Sequence, residues 1–319
     1  MRAIQIHGPG EVDLAELPVP IPSAGEELVR VAMAGICATD HKLSRSGSHR
    51  GRVIGHEIAG WLQDQTAVGV HPDVGCGRCR FCRADFENRC PGRTSVGIDR
   101  DGGLAEYVVV PANHVVPIGS LGVKEAPLLE PLACCLHAVD LLGVSSGETA
   151  LVVGAGTMGI LAMWALQSRG ARVVVSQRSE RRRSLAAELG ADAVVAAGEA
   201  PGLALGENPT VAIVTAPEPV GLAFALEAVA VGGRVHAFAG TPGGLIDANV
   251  VHYRHLSLMG STGSRMIDYR RALDLAGSGK VDLGRLPTQL MTLEEAAGIL
   301  VAERGSEETK VLVEVEMGM

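Results

Sequence analysis

The sequence predicts an α/β protein of two domains, one mainly β and one built on a doubly wound parallel sheet. Three observations carry this. The chain has 319 residues, about twice the length of a typical domain. Residues up to about 120 break into short β-type runs punctuated by Gly and Pro: AIQIHG, ELVRVAMAG, VIGHEIAGWL and AEYVVV. From about 124 to 263, apolar strand-like runs alternate with helical patterns over short links, the signature of a parallel sheet covered on both faces. The second domain is therefore placed at 123–263, with the first at 1–122 and 264–319.

Each element of the alternating region has a local reason. EAPLLEPLACCLHAVDLLG has helical length and spacing. TALVVG (149–154) is a buried strand, followed by a helix ending at Gly170. ARVVVS (171–176) precedes a helix closed by Gly190. Further strands fall at 193–195, 210–216, 234–240 and 256–261. The first domain resumes with a helix from MIDYRRALDLAGSG, another over Leu293–Arg304 and a last strand, KVLVEV. The earlier β-type runs of that domain suggest no helix.

Composition narrows the function. Aromatics are 3% of the chain and the net charge is −8, which disfavours a stacking platform for nucleic acid and attraction to phosphate backbones or anionic membranes. No apolar run approaches the ~20 residues of a membrane span. Met1-Arg2-Ala3-Ile4 leads straight into a strand-like run without the apolar stretch of a signal peptide, so a cytoplasmic location is expected.

Of seven cysteines, four lie within GCGRCRFCRADFENRC. Cys76, Cys79, Cys82 and Cys90 are spaced C-x2-C-x2-C-x7-C, and looping two-residue gaps can aim successive thiolates at one tetrahedral zinc. The first three positions also match an iron–sulfur run, but the seven-residue last gap departs from it. A structural zinc lobe over 75–91 is expected, with Arg78, Arg80, Arg83 and Arg89 offsetting its negative charge.

Gly154-Ala155-Gly156-Thr157-Met158-Gly159 is G-x-G-x-x-G between a strand and a helix. In that context it is the dinucleotide fingerprint of a Rossmann domain, the helix start offering free N–H groups to a pyrophosphate. The next strand ends Ser176-Gln177-Arg178, without the acid that selects NAD. Arg178 and Arg182 suit a 2′-phosphate, so NADP is expected, with NAD possible because Gln177 can bond a ribose hydroxyl. Separately, Cys37, Thr39, Asp40, His41, His56, Glu57 and Glu130 offer ligand types for a catalytic zinc, which takes about three protein ligands. Spacing alone does not join them.

The motifs G-x-C-x-T-D (35–40), G-H-E (55–57), the cysteine lobe, D-G-G-x-A-E-Y (101–107), E-P-L-A (130–133) and the glycine fingerprint run in one order along the chain. In this it resembles the zinc-dependent medium-chain dehydrogenases, of the branch that includes sorbitol and other polyol dehydrogenases. The resemblance implies a GroES-like catalytic domain beside the Rossmann domain and two zinc ions per chain. It implies Cys37, His56 and Glu130 as ligands of the catalytic zinc, with Glu57 nearby. It also implies Thr39 as a proton relay, Asp40 as a brace, and a homodimer or homotetramer formed by edge pairing of cofactor-domain sheets. His41 reads equally as a relay or an ordinary loop histidine. The stretches 42–54 and 61–75 are short against such relatives, so an open pocket and a polar substrate, a sugar alcohol or cyclitol, are expected. The alternatives are a zinc-independent enoyl or quinone reductase and a non-enzymatic NADP-binding protein. The intact ligand set argues against both.

Overall fold

The computed structural model describes residues 1–240, 246–302 and 310–315. Two compact units emerge: Met1–Ala133 with the described residues of Gly263–Met319, and Cys134–Thr262. The division falls inside the helix Leu129–Leu142.

The first unit holds β1 (Arg2–Gly8), β2 (Glu11–Glu16), β3 (Glu26–Ile36), α1 (Ala38–Ser46), β4 (Glu57–Trp61), β5 (Ala67–Val70), β6 (Asp73–Val74), β7 (Thr94–Ser95), β8 (Tyr107–Pro111) and β9 (Val115–Pro117). α2 (Leu129–Leu142) leads into the second unit: β10 (Thr149–Val153), α3 (Thr157–Gln167), β11 (Arg172–Ser176), α4 (Glu180–Glu188), β12 (Ala193–Val195), α5 (Pro201–Leu205), β13 (Val211–Val214), α6 (Pro219–Ala228), β14 (Arg234–Ala237), α7 (Ala248–Tyr253) and β15 (Ser257–Gly260). The chain then returns with α8 (Met266–Gly277), β16 (Thr288–Met291), α9 (Leu293–Leu300) and β17 (Lys310–Glu314). α9 stops at Leu300, capped at Val301, short of the Arg304 that the sequence pattern suggests.

In the first unit a seven-stranded sheet runs β16-β17-β3-β4-β5-β9, with β8 also on β3. Ile4, Val29, Ile54, Ile58, Leu104 and Val313 are among its core residues. The expected absence of helix here is corrected by α1. Its nine residues carry no long apolar stripe. It stands because Asp40 Oδ2 accepts from the Cys37 N–H at 2.7 Å at one end, and Gly47, at φ 61°, closes the other.

The second unit is a six-stranded sheet, β12-β11-β10-β13-β14-β15, every neighbouring pair parallel. Strand order reverses between β10 and β13, which places the ligand crevice at their carboxyl ends. Leu151, Val174, Ala212, Val214, Leu226 and Val235 pack its core.

A buried polar cluster in the first unit was not legible in the sequence. The His71 and His114 rings stack with centroids 5.5 Å apart, and His71 Nε2 lies 3.2 Å from both Ser264 O and Ser264 Oγ. Asp73 accepts from the Ser264 N–H at 3.0 Å and from Arg93 at 2.8 Å. Burial pushes the His71 imidazole down to about 4. A depressed imidazole pKa means the unfolded chain takes the proton first, so its contribution is intact above the ordinary value near 6.5 and is lost as pH falls from there towards 4. Urea unfolding is expected to show His71→Gln losing about 2 kcal/mol less stability than the parent between pH 7 and 4.5. Equal losses in both would contradict this account of the cluster.

Candidate active site, zinc lobe and dinucleotide groove

Three adjacent strands of the first unit bring the reactive side chains together. β3 ends at Ile36, so Cys37 falls at the N-cap of α1. His56 precedes β4, and Glu57 is its first residue, paired with Gly35 of β3. β17 lies on the other side of β3 and begins with Lys310. As a result Cys37, His56 and Glu57 each present a ligand atom within 4.8 Å of the others. Glu130, in the first turn of α2, is buried but is not gathered into this group.

Asp40 braces the cluster. One carboxylate oxygen takes the Cys37 N–H, and the other lies 3.4 Å from His56 Nδ1. That arrangement leaves His56 Nε2 for a metal. Burial alone would raise the Asp40 pKa, but His56, the Cys37 N–H and Lys310 outweigh it and hold the carboxyl below its usual value. Burial would likewise lower His56, yet Asp40 drives it well above the ordinary imidazole value. Thr39 Oγ1 is 3.9 Å from Cys37 Sγ.

Two residues here change the sequence-based picture. The buried Lys310 ammonium pairs with Glu57 Oε2 and donates to Ile36 O at 3.0 Å. A lysine opening a strand carries no signal of burial; only the β17–β3 register reveals it. His41 Nδ1 bonds Leu300 O at 3.2 Å, tying α1 to the last carbonyl of α9.

The cluster fits a divalent cation. Asp40 Oδ1, His56 Nδ1 and Glu57 Oε2 are buried without a well-aligned hydrogen bond. A thiol, an imidazole and a carboxylate within reach of one point are ligand types zinc takes, and a bound dication would displace the proton that Asp40 favours on His56.

The cysteine lobe fits zinc still more directly. Cys79 Sγ is 3.5 Å and Cys76 Sγ 4.0 Å from Cys82 Sγ, and all four sulfurs lie within 4.8 Å of one another. A tetrahedral site with zinc–sulfur bonds of ~2.3 Å has sulfurs ~3.8 Å apart. Backbone N–H groups of Cys76 and Cys82 donate to Cys90 Sγ and Cys79 Sγ at 3.4 and 3.5 Å. The Arg78 and Cys79 N–H groups bring Cys76 down to about 6, while burial and neighbouring thiols push Cys82 up. A zinc bound there would take all four as thiolates.

In the second unit the glycine loop follows β10. Gly154 has φ +104° and its N–H bonds Ser176 O at 2.9 Å. A Cβ on Gly159 would stand 1.9 Å from Gly154 O, so only glycine permits that contact. Thr215 Oγ1, which sequence reasoning missed, donates to Val153 O at 3.0 Å and steadies the turn. Gly156 caps α3 without a side-chain acceptor. The first N–H groups, from Thr157 and Met158 onward, are thus the positive end of a helix.

The residues expected around a 2′-phosphate have distinct positions. Ser176 is buried at the end of β11. Gln177 Oε1 accepts from the Arg178 N–H at 2.6 Å, turning inward to cap its own loop. Arg178 pairs with Glu218 at 2.8 Å. The Arg182 guanidinium lies 3.9 Å from where a Gly156 Cβ would stand. Arg183 braces the loop by donating to the carbonyls of Gln177 and Arg178 at 2.8 and 2.7 Å. Ser179 caps α4 through the Arg182 N–H, and this phase separates Arg182 from Arg183.

A four-cysteine lobe, a Cys–His–carboxylate cluster and a fingerprinted parallel sheet are the parts that zinc-binding, dinucleotide-dependent dehydrogenases share. The chain belongs to the zinc-type alcohol dehydrogenase family. Residues 23–120 match the alcohol dehydrogenase GroES-like domain, and 157–278 the zinc-binding dehydrogenase domain. It is 32% identical to an L-threonine 3-dehydrogenase of Pyrococcus horikoshii over 90% of each chain. It is 38% identical to a D-altritol 5-dehydrogenase of Agrobacterium fabrum, the match spanning 63% of this chain and 65% of that one. A zinc-binding dehydrogenase of Sinorhizobium meliloti 1021, solved bound to NADP, superposes with a TM-score of 0.91 at 31% identity, covering 98% of this chain and 99% of that one. No helix among the described residues is long and apolar enough to cross a membrane.

Proposed function

We propose that this chain interconverts a secondary alcohol and a ketone on a polyhydroxylated small molecule, a sugar alcohol or cyclitol, with NADP preferred over NAD. The single observation behind the reading is the convergence of Cys37, His56 and Glu57 around an Asp40 brace. Cys37 and His56 would hold the catalytic zinc, with Glu130, the ligand implied by the resemblance, as the third, and Glu57 the carboxylate already gathered at the cluster. When bound, zinc polarises the substrate oxygen and the nicotinamide exchanges the hydride.

The protein's own groups do the rest. Asp40 fixes the Cys37 backbone and orients His56. Lys310 holds one oxygen of Glu57 and balances the charge. The Thr39 hydroxyl, close to Cys37 Sγ, passes the substrate hydroxyl proton outward. Arg178 and Arg182 receive the 2′-phosphate of NADP at the end of β11, and the Sinorhizobium structure bound to NADP supports that choice. The altritol dehydrogenase supports a polyol substrate, although this chain aligns with only 65% of its length. The full-length likeness to a threonine dehydrogenase favours a second reading, oxidation of a β-hydroxy amino acid. We place the enzyme in the cytoplasm as a homodimer or homotetramer. The β15 edge of the parallel sheet offers the pairing surface.

A panel of hexitols, pentitols, cyclitols and L-threonine with NADP and with NAD tests the reading. At least one polyol is expected to exceed L-threonine about tenfold in kcat/KM with NADP. Preference for L-threonine would replace the substrate assignment.

A further inference from the structure

Glu218 occupies the N-cap of α6 without acting as a cap. Short oxygen-bearing side chains are usual there because they accept from the first turn. Here Pro219 removes one of those N–H groups and the Glu218 side chain makes no capping bond. Only its backbone serves the helix, accepting from the Gly221 N–H at 3.0 Å. Glu218 Oε1 instead accepts from Arg178 Nη2 at 2.8 Å.

The placement of this pair matters. Arg178 follows β11 and Glu218 follows β13, the two strands flanking β10. The pair therefore reaches across the carboxyl edge of β10, the strand that carries the glycine loop, at the reversal of strand order where a dinucleotide's adenosine half is bound. A ribose bearing only hydroxyls meets there a guanidinium and a carboxylate whose charges cancel. A 2′-phosphate, with nearly two negative charges, gains Arg178 but stands beside Glu218. Both side chains are well exposed, and an exposed pair is weakly held, so Arg178 exchanges partners easily. Of the neighbouring cations, Arg183 is committed to loop carbonyls, and Arg182 lies over Gly156.

We infer that Glu218 is a specificity-determining residue for the dinucleotide: by occupying Arg178 it tempers the preference for a 2′-phosphate and keeps the site open to both NADP and NAD. This rests on the proposed dinucleotide site at the glycine loop and goes beyond it by naming the residue that sets the ratio.

Calorimetric titration of the full-length protein with 2′,5′-ADP and with 5′-AMP tests it on the parent, Glu218→Gln and Arg178→Ala. Glu218→Gln is expected to bind 2′,5′-ADP about fivefold tighter, with 5′-AMP changed less than about twofold. Arg178→Ala is expected to weaken 2′,5′-ADP about tenfold and 5′-AMP little. An unchanged ratio in Glu218→Gln overturns the inference while a parent preference for 2′,5′-ADP leaves the cofactor reading standing. A parent that prefers 5′-AMP, with Glu218→Gln gaining 2′,5′-ADP, overturns the NADP preference and supports the inference. If neither nucleotide binds the parent, both fall.

Discussion

Cys37→Ser and His56→Ala are each expected to lose turnover by about a thousandfold or more, while the fold and NADPH binding persist. Both residues end in the cluster with Glu57, so each substitution removes a ligand of the proposed catalytic zinc. Neither lies in the second unit, where the glycine loop sits. Asp40→Asn is the milder counterpart. It keeps the shape but weakens the acceptor for His56 and the Cys37 N–H, and a loss of about 10–100-fold is expected. Steady-state rates and NADPH fluorescence titration on the same preparations separate the two effects. Activity equal to the parent in either ligand variant would remove the catalytic zinc from the account.

The second large effect is on stability. Cys90→Ser is expected to lower the melting temperature by roughly 5–10 °C, corresponding to about 3 kcal/mol. The lobe has little core of its own. Its regular structure is two short 3-10 turns, Cys82–Ala84 and Glu87–Arg89, and of the lobe's residues only Asn88 and Cys90 are buried. Arg80 over Phe81 and Arg89 over Phe86, at 4.6 and 4.7 Å, add surface contacts of modest strength. Glu87 accepts from the Met266 N–H and Arg265 covers Phe86 at 5.2 Å, so loosening the lobe also frees the start of α8. Differential scanning calorimetry, paired with the release of one zinc to a chelator, checks the expectation. An unchanged melting temperature would mean the four cysteines do not hold the lobe together.

Much of the second unit was legible because its physics is local. Buried parallel strands such as TALVV and RVVVS read as unbroken apolar, β-branched runs, and Gly170 and Gly190 mark where their helices stop. The gathering of Cys76, Cys79, Cys82 and Cys90 was legible for the same reason, the four being a few residues apart. What escaped depends on tertiary register. α1 is short and polar, and its stability comes from an end cap and from His41 bonded to α9. Lys310 looks like an ordinary strand-opening lysine until β17 pairs with β3. Glu57 and Glu130 are both carboxylates beside recognisable motifs, and only placement distinguishes the one gathered with Cys37 and His56. The arginines after β11 were indistinguishable by composition. Helix phase from Ser179 sorts them into a loop brace, a residue over the glycine loop and the partner of Glu218.

The most direct measurement is zinc per chain by elemental analysis, on protein purified without added metal, for the parent and for Cys37→Ser. Two zinc ions per parent chain and one in Cys37→Ser are expected, the remaining ion held by Cys76, Cys79, Cys82 and Cys90. A parent with a single zinc, released only on unfolding and unchanged by Cys37→Ser, would contradict it and leave the cysteine lobe as the chain's one metal site.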